Sequence, residues 1–338
     1  MIKKRFVLSG YFGFKNFGDE AILSVIVNKL LSERNALTVI SSDPKYTKTM
    51  YKHIRSIYTF DFNSIIPSIY KSDILISGGG SLLQDVTSIK SLVYYLLIIF
   101  IALIFKKKVI IFAQGIGPIN SNIGRFLTKN ILRHCFYISV RDKKSQELLA
   151  NWGIKSDLLC DPIFSIKIPS FTKNKTLAIQ LRSCKGLTND FIDRLADSIN
   201  NNFKDYNIEI YSFQDEIDLE ICKNLEKNIS MLNPDINTIV YSGLTNEEII
   251  EKISKVEYLI SMRFHALIIG LLSGAKILGI NYDIKVEKLS QEYNFPLIDL
   301  KEDFQNNFSL LKNQRPVNLK DKLANINFDW AGFDKAIL

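Results

Sequence analysis

Two side chains with complementary chemistry lie two positions apart in the stretch Glu257–Gly270, EYLISMRFHALIIG. Arg263 carries a planar fork of donors suited to phosphate or carboxylate. His265 can give or take a proton near neutral pH. Together they could bind an anion and move a proton beside it. The residues before them, Tyr258–Ser261, read as a buried strand, and Ala266–Leu272 reads as an apolar helix. The pair therefore falls on a strand-to-helix turn. The first helical N–H groups there have no partner within the helix, and they favour an anion. A surface arginine and a helix-capping histidine would show the same spacing, and this stretch alone does not separate the two readings.

Polar groups also gather at glycine-rich turns in the first half of the chain. Ser9–Glu20 reads SGYFGFKNFGDE, with glycines at 10, 13 and 18 that let backbone amides come close to a ligand. The spacing is not that of the dinucleotide G-x-G-x-x-G, and no Lys-Ser/Thr ending of a P-loop follows. Asn16 and Asp19 suit sugar hydroxyls, and Asp19 could also cap the next helix. Ser77–Asp85, SGGGSLLQD, places Gly79 and Gly80 where backbone must pass close to a ligand or a neighbouring strand. Gln84 and Asp85 add polar groups at the same edge. Gln114–Pro118, QGIGP, ends a third buried strand. Ligands in open α/β sheets bind at the C-terminal ends of strands, where all these turns lie.

The elements that must position these groups alternate. Strands are predicted at Arg5–Ser9, Leu37–Ser41, Ile54–Phe60, Asp73–Ser77, Val109–Ala113, Tyr137–Val140 and Asp157–Cys160. Their Val/Ile/Leu runs lack clean alternation, as in strands covered on both faces. Helices are predicted between them at Asp19–Ser32, Ser88–Phe105, Ser121–Arg133 and Asp142–Asn151. Ser88 and Asp142 are good N-cap types. Polar Lys167–Lys175, KIPSFTKNK, reads as a linker. The pattern then restarts, with strands at Thr176–Leu181, Ile208–Phe213, Thr238–Tyr241, Glu257–Ser261 and Lys276–Ile280. Helices fit Asn189–Asn201, Asp215–Lys227, Asn246–Ser254 and Phe264–Ser273. The expectation is α/β architecture with a lobe at 1–166, a second at 176–316, and a cleft between them. Residues 317–338 are expected to form a helical tail packing back near the hinge.

Composition narrows the partners. The chain has 338 residues, 47% of them hydrophobic, enough for two cores. A net charge of +8 fits anionic substrates or an anionic surface. No nucleic-acid motif is present and the positive charge is scattered, so nucleic acid ranks last. Cys135, Cys160, Cys184 and Cys222 have no paired spacing and read as reduced thiols of a cytoplasmic protein. With histidines only at 53, 134 and 265, no metal site is expected. Met1–Ser9 does not read as a signal peptide. Leu92–Phe105 has fourteen uncharged residues, short of the roughly 20 that span a bilayer. A buried helix is expected there, and the adjoining Lys106–Lys108 leaves peripheral contact with a membrane face open.

Six blocks in order, SGYFGFKNFGDEAIL, SGGGSLLQDVTSIKSLVYYL, AQGIGPI, SVRDKKS, SMRFHALIIG and NYDIKVEKL, resemble the polysaccharide pyruvyltransferase family. Within it they resemble the branch that modifies cell-wall polymers used to anchor S-layers. The resemblance runs from about residue 5 to 295 and departs at Ile284, where the family often has proline. It implies two Rossmann-like lobes in a GT-B-like arrangement. It implies transfer of the pyruvyl skeleton of phosphoenolpyruvate, a co-substrate rather than a bound cofactor, onto two hydroxyls of one sugar. The acceptor would be a cell-surface glycan, expected to be lipid-linked.

By that resemblance His265 moves the proton and Arg263 binds the donor. Lys285, one strand–helix unit later, makes a second anion contact. Arg141, which could instead pair with Asp142 or Asp161, closes over the donor, and Arg182 is a weaker donor contact. Gly13, Asn16, Gly18, Asp19, Gly79, Gly80, Gln84 and Asp85 form the acceptor side. A GT-B nucleotide-sugar glycosyltransferase, with Asp283 as its C-lobe carboxylate, and a non-catalytic glycan-binding protein are the alternatives. Oligomeric state is not legible.

Overall fold

The computed structural model describes residues 4–31, 33–86, 88–302, 304–315 and 328–338. The chain forms two compact units, Met1–Ile166 with Ile326–Leu338, and Lys167–Asn325. Each is built on one parallel sheet.

In the first unit the strands are β1 (Arg5–Ser9), β2 (Ala36–Ser41), β3 (Arg55–Tyr58), β4 (Ile74–Gly78), β5 (Lys108–Gln114), β6 (Tyr137–Val140) and β7 (Asp157–Leu158). Their spatial order is β3-β2-β1-β4-β5-β6-β7, all parallel. Every residue of β4 is buried, because helices cover both faces of such a sheet. The helices are α1 (Phe17–Leu31), α2 (Pro44–Met50), α3 (Phe62–Lys71), α4 (Ile89–Ile104), α5 (Asn122–Leu132) and α6 (Lys143–Asn151). Ser88 caps α4 and Asp142 caps α6 through side-chain oxygens, as their residue types predict.

The second unit carries β8 (Asn174–Gln180), β9 (Asn207–Tyr211), β10 (Thr238–Tyr241), β11 (Val256–Ser261), β12 (Lys276–Asn281) and β13 (Leu297–Asp299). Their order is β10-β9-β8-β11-β12-β13, again parallel. The helices are α7 (Asn189–Phe203), α8 (Asp215–Leu232), α9 (Asn246–Lys255), α10 (Phe264–Ser273), α11 (Ile284–Tyr293) and α12 (Phe304–Asn313). Both sheets have the doubly wound order, which reverses between β1 and β4 in one unit and between β8 and β11 in the other. Ligand crevices open at such reversals.

Several expectations need correction. Asp19 is not an N-cap, because α1 begins two residues earlier, at Phe17. Sequence reading missed α2, which is short and polar, and α3, which contains Pro67. It also missed α11, β13 and α12. The linker's last residues, Asn174 and Lys175, already belong to β8. Of the predicted tail, residues 317–327 lie outside the described residues. Its end forms α13 (Ala331–Ile337), which belongs to the first unit. Phe328, Trp330 and Phe333 pack there on Phe112 of β5, and Lys29 of α1 pairs with Asp334 at 2.8 Å.

Candidate functional site

In the second unit, the turn after β11 is organised around Gln180, the last residue of β8. Its side-chain oxygen accepts from the Arg263 backbone N–H at 2.8 Å and from Ser261 Oγ at 3.1 Å. This fixes the start of α10 beside β8, at the sheet's reversal. The Arg263 side chain does not stand out from the turn into solvent. It is buried, and its guanidinium donates to both carboxylate oxygens of Asp218 at 3.0 and 2.8 Å. Asp218 also accepts from the backbone N–H groups of Phe213 and Gln214. Burial pushes the Asp218 carboxyl up, and the charges of Arg263 and Arg182 draw it back.

Arg182 follows β8 and reaches the same cluster, where its charge acts on the Tyr282 hydroxyl. Burial pushes that hydroxyl up, and Arg182 and Arg263 pull it down. Two guanidinium groups thus face one buried carboxylate, a surplus of positive charge at the mouth of α10. His265, half-buried, lies in the first turn of α10. Lys285 is exposed in the first turn of α11, which Asp283 caps. The structure therefore groups Arg182, Asp218, Arg263 and Tyr282, with His265 on the adjoining turn. Asp218 and Tyr282 were not singled out from the sequence, although Tyr282 lies in one of the six blocks.

In the first unit the glycine turns after β1 and β4 meet at the other reversal. Gly13 has φ +81°, and a Cβ there would strike Ser41 Oγ at 2.1 Å. Gly80 has φ +68°, and a Cβ would meet Asp19 Oδ1 at 2.8 Å. Both glycines are required by close approach of the chain to itself. Asn16 Nδ2 donates to Asp19 at 2.5 Å, so these two polar groups act as one. Gly18 is buried within α1, and Gly79 passes against Ile22. Gln84 is half-buried.

Two residues assigned to ligands have structural partners. The Asp85 carboxylate accepts from the backbone N–H groups of Asn120 and Ser121 at 2.7 Å each, and these amides hold it below the ordinary carboxylate range. It ties the β4 turn to the start of α5. Arg141 donates to Asp161 at 2.8 Å and to Ser81 at 3.0 Å. The Arg141–Asp161 pair is buried, so this guanidinium braces the triple-glycine turn from within its own unit.

Glu20 escaped sequence reading because it looks like another first-turn acid. It is 2% exposed, and its Oε1 accepts from the Gly13 N–H at 2.7 Å. Burial raises its carboxyl from the ordinary 4.5 to about 7; the amides of Gly13 and Lys15 oppose this and the charge of Asp19 adds to it. The protonated form is the one the fold favours. Its stabilising effect is therefore full below about pH 4.5 and lost as pH rises to about 7. Glu20→Gln keeps an oxygen for Gly13. It is expected to unfold with up to about 3 kcal/mol more difficulty than wild type above neutral pH, and with little difference in acid. Urea titrations on either side of that window check this.

Among the described residues no group of three or more His, Cys, Asp or Glu could hold a metal ion. No described helix is long and apolar enough to cross a membrane.

Two doubly wound units, each with polar groups collected at its sheet reversal, define a GT-B-like protein. The model of the polysaccharide pyruvyl transferase family matches residues 16–284, and the chain belongs to that family. No curated protein matches it by sequence. Among solved structures it is similar to the UDP-GlcNAc 2-epimerase of Methanocaldococcus jannaschii, with a TM-score of 0.64 at 12% identity over 94% of this chain and 93% of that one. The UDP-N-acetylglucosamine 2-epimerase of Rickettsia bellii gives 0.63 at 9% identity over 99% and 96%. Anabaena HepE, solved with UDP and glucose, gives 0.62 at 11% identity over 99% and 98%. At these identities the likeness shows the fold.

Proposed function

We propose that the protein transfers the pyruvyl group of phosphoenolpyruvate to two hydroxyls of one sugar in a cell-surface glycan, forming a cyclic ketal and releasing phosphate. The observation that carries this reading is that two guanidinium charges, Arg263 in a direct pair and Arg182 close by, act on the single buried carboxylate of Asp218 beside the N-terminus of α10. A donor with a carboxylate and a phosphate needs such a surplus of cations. Family membership supplies the reaction class.

The chemistry assigns the roles. Carbon-3 of the donor takes a proton, which leaves carbon-2 oxocarbenium-like. His265 gives that proton and then takes one from the first sugar hydroxyl as its oxygen bonds to carbon-2. The second hydroxyl displaces phosphate from the same carbon and its proton leaves with phosphate. Arg263 and Arg182 stabilise the departing charge, and Lys285 provides a further cation. Asn16 and Asp19 bind the acceptor, and Gln84 lies along the same edge. Arg141, through Ser81, keeps the glycine turn in shape for it. A cytoplasmic stage of cell-wall polymer assembly, on glycans that anchor S-layers, is the setting this reading gives.

The test is acceptor-dependent release of phosphate from phosphoenolpyruvate. Mass spectrometry of the host's glycans, with and without the protein, should show one pyruvate ketal per repeat. Release of nucleotide from a UDP-sugar would instead make it a glycosyltransferase, a reading favoured by the UDP and glucose bound to Anabaena HepE. Glycan binding with turnover of neither donor would leave a binding protein.

A further inference from the structure

The outward face of α4 is apolar. Ile89, Val93, Leu97, Phe100 and Ile104 are each at least 40% exposed, and their spacing places them on one stripe of the helix. The opposite face, with Tyr95, Ile98 and Ala102, is buried. So α4 is apolar on both sides, and only one side has a covering. Helices α3 and α5 both pack against α4. Their outward residues extend the surface with Ile66 and Tyr70 on α3, and with Ile123 and Phe126, 72% and 67% exposed, on α5. Soluble surfaces rarely gather this many large apolar side chains without a partner.

The charge around this face selects the partner. Residues 86–140 contain seven Lys or Arg and no Asp or Glu. Helix α3 adds Lys71 and no acid. Basic and apolar groups are intermixed: Lys107 lies over the Tyr70 ring at 5.6 Å, and Tyr70 packs edge-on to Phe105. A second copy of the chain would bring these cations against their own kind, which disfavours self-association. At sixteen residues α4 is too short to span a bilayer, but a helix with one apolar face can lie in the plane of the headgroups.

We propose that the face formed by α3, α4 and α5 docks on the surface of an anionic lipid bilayer, with the α4 stripe among the upper acyl chains and the flanking lysines and arginines against headgroup phosphates. This does not depend on the pyruvyl-transfer reading, and its test reads binding alone. The full-length protein is floated with vesicles of phosphatidylcholine, with or without phosphatidylglycerol. It is expected to float with the mixed vesicles, about tenfold less with the neutral ones, and less as salt rises. The double variant Leu97→Glu with Phe100→Glu should lose about tenfold of the binding, with its melting temperature unchanged. Lys106→Glu with Lys107→Glu, which leaves the apolar stripe intact, should weaken binding to mixed vesicles only. Absence of flotation with either vesicle would overturn the proposal. So would a wild-type dimer, seen by sedimentation, that the Leu97/Phe100 variant splits, since the face would then join two copies.

Discussion

Asp218→Ala is expected to cost about 3–5 kcal/mol of stability, because it leaves the Arg263 guanidinium buried without its carboxylate. Both side chains are almost fully covered, at 0% and 7% exposure, so solvent screening does little to soften the loss. The drop should appear as a lower urea midpoint of the second unit with an unchanged slope. The informative companion is the double replacement Asp218→Leu with Arg263→Met. Apolar pairs of similar volume often substitute for buried ion pairs at little cost in stability, so this variant should fold. If Arg263 serves the donor as well as the fold, the double variant will be stable and inactive. A stable variant with full turnover would reduce Arg263 to a structural role and leave the donor to Arg182 and Lys285.

The second large effect concerns His265. Its ring lies in the first turn of α10, edge-on to the neighbouring Phe264. His265→Ala should lower turnover of phosphoenolpyruvate by about 10²–10⁴-fold, the usual contribution of a positioned acid or base. KM for the donor should change far less, because the proposed reading gives donor binding to the arginines. Stability should fall by no more than about 1 kcal/mol, the centre of the range for single substitutions. Retention of full activity would remove His265 from the chemistry.

How far the sequence reaches can be judged on these residues. The buried strands and α10 were legible because unbroken apolar runs meet turn residues at their ends. Helix α3 was hidden by Pro67, and β13 by having only three residues. At the site, Arg182, Arg263 and His265 were visible because they follow strands in chain order. Asp218 was not. It belongs to an acidic first turn with Asp215 and Glu216, a pattern that reads as helix-dipole compensation. Only tertiary packing shows that one of the three points inward to an arginine forty-five residues away. Glu20 was masked in the same way by Asp19. A weak signal existed, since the residues that follow it, Ala21–Leu23, are all apolar, which is unusual beside a solvated acid. The Arg141–Asp161 pair was one of two pairings the sequence left open, but the partners of Asp85 were illegible for a different reason: it bonds the backbone of another loop, and loop proximity leaves no mark on local pattern.

The position of α13 bears on biosynthesis. Lys4, just ahead of β1, reaches the carbonyls of Ile337 and Leu338 with its ammonium group, and Phe112 is covered by residues translated after the whole second unit. The second unit is thus an insertion within the first. On the ribosome the second unit can finish folding while Phe112 of the earlier sheet still lacks the aromatic cover that Phe328, Trp330 and Phe333 supply.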